Sequence, residues 1–273
     1  ISQYHEETRL AYARNADVPF EFRQDEYHRH WATSIGETFA FHARAFASPA
    51  LDTTPERFHY DSPYGKFSAW GWAFESQGGE PGYTVLRGVS QTGLRVETRR
   101  WAPDGPAVPG RMISVTTPPL YRPGAGYTVL DAPLNGAAPR RLAVAAGADG
   151  RLRFSIDGSG RQVSIHGPGA GEQAPVLLPV ARGDLLRVLP GASTPLPIRV
   201  FNPRLEVLRD VRVEVSSEYP TVELATPEFA VSEIPPGGSV DLSGRLRAQF
   251  TAADGDYAPA RITVKLRAGA TEA

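Results

Sequence analysis

From Arg57 onward the chain is a succession of short runs in which apolar and polar residues alternate, each closed by a Gly, Pro or Asp cluster. "RMISVTT", "GYTVLD", "RRLAVAA", "LRFSID" and "RQVSIHG" carry the pattern, with turns such as Asp149-Gly150 between them. Side chains alternate from face to face along a strand, so this period of two sets one buried face against one wet face. Strands this short, about a dozen residues apart, predict a sandwich of antiparallel sheets. The C-terminal third repeats the theme: Val211, Val213 and Val215 point one way while Arg212 and Glu214 point the other. That alternation predicts an immunoglobulin-like sandwich, with "IPPGGS" as a turn between two of its strands. The 25 prolines and 27 glycines suit a turn-rich β chain.

The first residues follow another grammar. "ISQYHEETRLAYARNAD" has Ser2 as an N-cap, Glu6 and Glu7 in its first turns and no internal Pro or Gly, and predicts a helix ending near Asn15. "VPFEF" predicts a short strand, with Pro19 favouring an edge. After "EYHRHW", residues Ile35, Phe39, His42 and Phe46 recur at helical spacing and mark one face of a second helix. One strand cannot close a sheet, so this segment is not a domain alone. The expected architecture is mainly β: two tandem Ig-like β-sandwich domains, residues 57–166 and 175–270, preceded by a short α/β helix–strand–helix segment, residues 1–48. "ASPALDTTPE" and "GPGAGEQAP" read as the linkers between them.

A length of 273 residues exceeds one small sandwich and accommodates two or three domains. A net charge of −1 supplies no field to attract nucleic acid or an anionic membrane, and no apolar run is long enough to span a bilayer, so neither is expected as a partner. Cysteine is absent, which excludes disulfides, thiolate metal sites and a thiol nucleophile. The compartment is not fixed by that; a secreted or periplasmic setting is the expectation. Only Lys66 and Lys265 among 29 basic residues are lysine, a bias that points to a GC-rich genome rather than a mechanism. Opening on Ile1 rather than Met, the chain reads as a processed product or a fragment.

Five of six histidines, His5, His28, His30, His42 and His59, lie near the N-terminus. His5, His42 and His166 read as packing or capping groups. His28 and His30 differ because they follow a strand and precede a helix, the place where α/β proteins put ligands and chemistry. With Asp25 or Glu26 nearby they could begin a metal site, but the ligand set is incomplete, so no metal and no cofactor are expected.

A helix, the strand "VPFEF", a His-bearing loop beside Trp31 and a helix ending in "FAFHARAF" together resemble the last β–α unit of the esterase family of α/β-hydrolases. The following "FSAWGWAFES" and "PGYTVLRGVSQTGLRVETRRWAPDG" resemble the β-sandwich that follows the catalytic domain in some bacterial members. Two details depart from the family: Tyr27 stands where a Gly usually precedes the histidine, and the Trp spacing differs. The resemblance implies a catalytic base, His28 in preference to His30.

In such hydrolases the order is Ser, then Asp or Glu, then His. The acid and nucleophile would therefore lie upstream of Ile1, and the partner of this chain would be an upstream catalytic segment of the same precursor. No G-x-S-x-G occurs: "DGSGR" and "PGGSVD" miss the spacing and read as hairpin turns. A histidine without a serine to deprotonate and a carboxylate to orient it does not run acyl transfer, so this chain alone is not expected to be a working esterase.

Aromatics are dense between Phe58 and Trp101. Trp70, Trp72 and Phe74 are expected on one strand face and read first as core. The alternative is an exposed platform of Trp70, Trp72 and Trp101 that stacks on sugar rings, whose apolar faces complement aromatic ones. On that alternative the chain is a non-catalytic carbohydrate-binding or assembly module. A polysaccharide or an acylated small molecule is the expected substrate if the chain serves an esterase, and a carbohydrate the expected ligand if it is a binding module. "ADGDY" lacks the downstream Glu of a calcium loop and reads as a turn.

Overall fold

A computed structural model of the chain describes residues 35–47, 55–101, 105–168, 173–179, 191–217, 221–251, 262–268 and 271–272. Two compact units are formed, Ile1–Pro55 and Glu56–Ala273. The described part of the first contains one helix, α1 (Ile35–Phe46), where the four-three-four spacing predicts it. Arg44 in its last turn faces the negative end of the helix dipole. Phe39 is 70% exposed and His42 is exposed too, so at these two positions the expected packing face is open. The helix expected from Ser2 and the strand "VPFEF" lie outside the described residues.

The second unit is mainly β, and among the described residues every strand pairing is antiparallel. Its first half carries β1 (Arg57–Ser62), β2 (Lys66–Ala69), β3 (Trp72–Gln77), β4 (Tyr83–Ser90), β5 (Gly93–Arg99), β6 (Met112–Thr116), β7 (Gly126–Pro133), β8 (Arg140–Ala145), β9 (Arg153–Asp157) and β10 (Arg161–His166). These make a six-stranded sheet, β1-β4-β5-β10-β7-β8, and a four-stranded sheet, β2-β3-β6-β9. One core lies between them, with Leu94, Val96 and Val163 from the first sheet meeting Phe74, Ile113 and Ile156 from the second. Burial of each such side chain stabilises by about 1.5–3 kcal/mol, which is why the period of two decides which face turns inward.

The second half carries β11 (Val176–Pro179), β12 (Ser193–Pro195), β13 (Ile198–Phe201), β14 (Leu208–Ser217), β15 (Val222–Leu224), β16 (Glu228–Ile234), β17 (Ser239–Asp241), β18 (Arg247–Phe250), β19 (Ile262–Ala268) and β20 (Thr271–Glu272). They form a four-stranded sheet, β16-β14-β19-β20, and two three-stranded sheets, β11-β13-β17 and β12-β18-β15. Val211, Val213 and Val215 enter a second core with Val200, Leu242 and Ala248, while Arg212 faces out. The alternation read from the sequence is thus the alternation in the fold.

A small apolar joint connects the halves: Ala132 of β7 meets Leu178 and Phe201, with Leu134 and Val176 at its margin. Arg199 Nη1 donates to the Leu134 carbonyl at 2.8 Å, and a Cβ at Gly237 would lie 2.9 Å from Pro139 Cβ, so the β16–β17 turn sits hard against the first half.

Two expectations need correction. "DGSGR" and "PGGSVD" are not hairpin turns. The first joins β9 of the four-stranded sheet to β10 of the six-stranded one, and the second joins β16 to β17, again in different sheets. Both are corners, since pairing partners are chosen by tertiary packing and a turn signal does not name them. "FSAWGWAFES" is not one strand either. It is the β2–β3 hairpin, with Ala69 opposite Trp72 and only Trp70-Gly71 between them.

Candidate functional site

His28 and His30, with Asp25 and Glu26, lie outside the described residues. The aromatic candidates are described, and the structure separates them. Trp72 is 2% exposed and Phe74 1%, both pointing from β3 into the core. Trp72 is therefore withdrawn from the sugar-stacking platform, because its faces are covered by protein. Trp101 is 52% exposed just beyond β5, where Gly105 N–H donates to its carbonyl at 3.0 Å. Among the described residues no ring contact joins it to Trp70.

Trp70 is the exception in the hairpin. A two-residue loop favours the type I′ turn, whose twist matches that of the strands but which needs positive φ at both positions. Trp70 has φ 44° and Gly71 φ 78°. A left-handed conformation is free for glycine and costs a bulky residue about 1–2 kcal/mol. The turn is held from outside: Arg151 Nη1 donates to the Gly71 carbonyl at 3.2 Å and to that of Thr117 at 2.8 Å. Trp70 is thus forced out of the core face that its neighbours Ala69 and Trp72 occupy, and its indole is 43% exposed.

That indole lies on a bed of rings. Phe58 is 4.6 Å from it, centroid to centroid, and Tyr60 meets it edge-on at 6.3 Å. Tyr60, 37% exposed, stacks on Phe67 at 5.6 Å, and Phe67 stacks on the buried Phe74 at 5.2 Å. Tyr64, 70% exposed, stands in the bend between β1 and β2. The two strands are the edges of their sheets, so the cluster lies where one sandwich margin is open. Preorganised, partly exposed ring faces of this kind accept apolar CH surfaces.

The other face of β1 is charged. Arg87 and Asp61 form a bidentate pair across β1 and β4, its second contact being 3.1 Å. β4 bulges between Arg87 and Ser90, with Gly88 at φ 60°, and the freed Gly88 N–H donates to His59 Nδ1 at 3.2 Å. Partial burial lowers the His59 pKa, and the positive charges of Arg87, Arg57 and Arg95 lower it further. No motif in the sequence marks the place of His59. Gly88 inside a strand pattern was the available signal, since an isolated glycine there marks a bulge. Among the described residues no group of three or more His, Asp or Glu is placed to hold a metal ion, and no helix is long and apolar enough to cross a membrane.

No family model matches the chain, and no curated protein matches its sequence.

Proposed function

We propose that this chain is the C-terminal part of a secreted or periplasmic serine ester hydrolase, and that its sandwiches hold an acylated polysaccharide while the ester is cleaved. In this reading both sandwiches are Ig-like. His28, or else His30, is the base toward a nucleophile supplied by residues outside this chain, with an acid from the same source. The esterase half rests on the strand–histidine loop–helix resemblance. The polysaccharide half is carried by one observation: the exposed indole of Trp70, held in a left-handed turn over Phe58 and Tyr60. Sandwich cores bury tryptophan without strain, as Trp72 does, so an outward Trp in a costly conformation suits contact with a ligand.

The experiment is a titration of the chain with a panel of plant and bacterial glycans, followed by tryptophan fluorescence in wild type and Trp70→Ala. Saturable quenching that the variant abolishes supports the reading; no change with any glycan removes it. Ester hydrolysis is tested separately, in the complete protein, by replacing both His28 and His30 with Ala. Unchanged turnover would exclude them as the base.

A further inference from the structure

A cleft of about 500 Å³ lies between the two halves of the second unit. Its floor is the outer face of β5 and β10, where Gln162 sits opposite Arg95 and Ser164 opposite Gly93. Those side chains point away from the core because Val163 and Ile165 point into it. Its far wall is apolar: Val176, Leu177, Val264 and Leu266. At its edge stands Arg57, the first residue of β1.

Three features define what this cleft offers a ligand. Gln162 is 9% exposed and Ser164 1%, yet neither side chain has a hydrogen-bond partner among the described residues. Neither leaves a fully buried side-chain atom without a partner, so their polar ends open onto the cleft, where a ligand can meet them. Gly93 is required by the close approach of β5 to β10, since a Cβ there would fall 2.1 Å from the Val163 carbonyl oxygen, and Gly88 by its positive φ in the β4 bulge; neither puts a side chain on the floor. Finally, Arg57 is exposed and has no carboxylate partner among the described residues, whereas Arg87 is paired with Asp61 and Arg95 with Glu97.

Neutral donors and acceptors on one wall, aliphatic surface on the other and one cation at the mouth match a sugar ring that carries a carboxylate. We infer that the cleft is a subsite for an acidic sugar, with Arg57 pairing its carboxylate and Gln162 and Ser164 meeting its hydroxyls. The inference rests on the carbohydrate reading above and narrows it to uronate-containing polysaccharides. Arg57 and Tyr60 are three residues apart on β1 and therefore face opposite sides of it, so the cleft and the aromatic cluster are separate surfaces.

Calorimetric titration of the chain with oligogalacturonides and with their fully methyl-esterified counterparts tests it. The acidic series is expected to bind about tenfold more tightly, and Arg57→Gln to abolish that preference while leaving binding of the neutral series intact. Arg57→Lys, which keeps the charge, should retain most of it, and rising salt should erode it. Arg57 is exposed, so both variants are expected to melt with the wild type. Equal affinity for the two series, or a preference that survives Arg57→Gln, overturns the inference while leaving the carbohydrate reading standing. Binding of neither series in wild type overturns it too, and a blank across the wider glycan panel takes the carbohydrate reading with it.

Discussion

Asn202 hangs the start of the second half from Ile234: its fully buried amide donates to the Ile234 carbonyl at 2.9 Å and to that of Glu206 at 2.8 Å. Its Oδ1 accepts from Arg204 N–H at 2.9 Å, and its backbone pairs with Gly237 and Gly238. One side chain therefore fixes the β13–β14 loop against the β16–β17 turn, the turn that presses on Pro139. Asn202→Ala strands two carbonyls and should cost about 3 kcal/mol. Asn202→Asp keeps the shape but turns a carboxylate oxygen toward both carbonyls, so it should cost more than Ala. Urea denaturation of the three proteins orders them.

Trp70→Asn separates folding from binding. Asn is at home in the left-handed region, and Asn-Gly is the preferred type I′ pair. Relief of about 1–2 kcal/mol of backbone strain offsets the lost contact with Phe58, itself worth about 1 kcal/mol. The melting temperature should stay within a few degrees of wild type while glycan-dependent fluorescence disappears. A variant that melts far lower would make Trp70 a structural residue.

Asp131 is fully buried at the rim of the first core, and its Oδ2 accepts from Arg140 Nη2 at 2.5 Å and Nε at 3.1 Å. Arg161 Nε lies 3.7 Å from the other oxygen. The cost of breaking such a pair lies in the buried charge left behind, so Arg140→Ala, which leaves the fully buried Asp131 carboxylate with Arg161 alone, should destabilise by about 3 kcal/mol. Asp131→Ala should do less, because the Arg140 side chain it leaves is half in solvent and Arg161 keeps Asp157. Thermal melts of both variants test the order.

Acid should loosen the second unit through its histidines. Burial lowers the pKa of His59, and Arg87, Arg57 and Arg95 lower it further. Burial lowers that of His166 as well, opposed by the Pro203 carbonyl and aided by Arg141. Both are lowered from 6.5, so the folded protein binds fewer protons than the unfolded chain. Their contribution is fully present above pH 6.5 and is lost as pH falls through the lowered values. Protonated His59 also cannot accept from Gly88 N–H. Denaturant midpoints measured from about pH 8 to about pH 5 should fall, and His59→Gln with His166→Gln should flatten the slope.

Local chemistry made much of this protein legible in its sequence. The alternation of Val211, Val213 and Val215, the strand at "LRVETR" and the helix at Ile35 follow from side-chain periodicity, which neighbours along the chain set on their own. Turn residues marked where strands stop, but not what they join: Asp157 to Arg161 looks like any hairpin loop and is a corner between sheets. Likewise, "AWGW" offers two tryptophans at strand spacing, and only the pairing of Ala69 with Trp72 sends one inward and the other out. The cleft was invisible for the same reason. Arg57, Gly93, Gln162 and Leu266 come from four distant segments, and only the packing of the two halves brings them to one cleft.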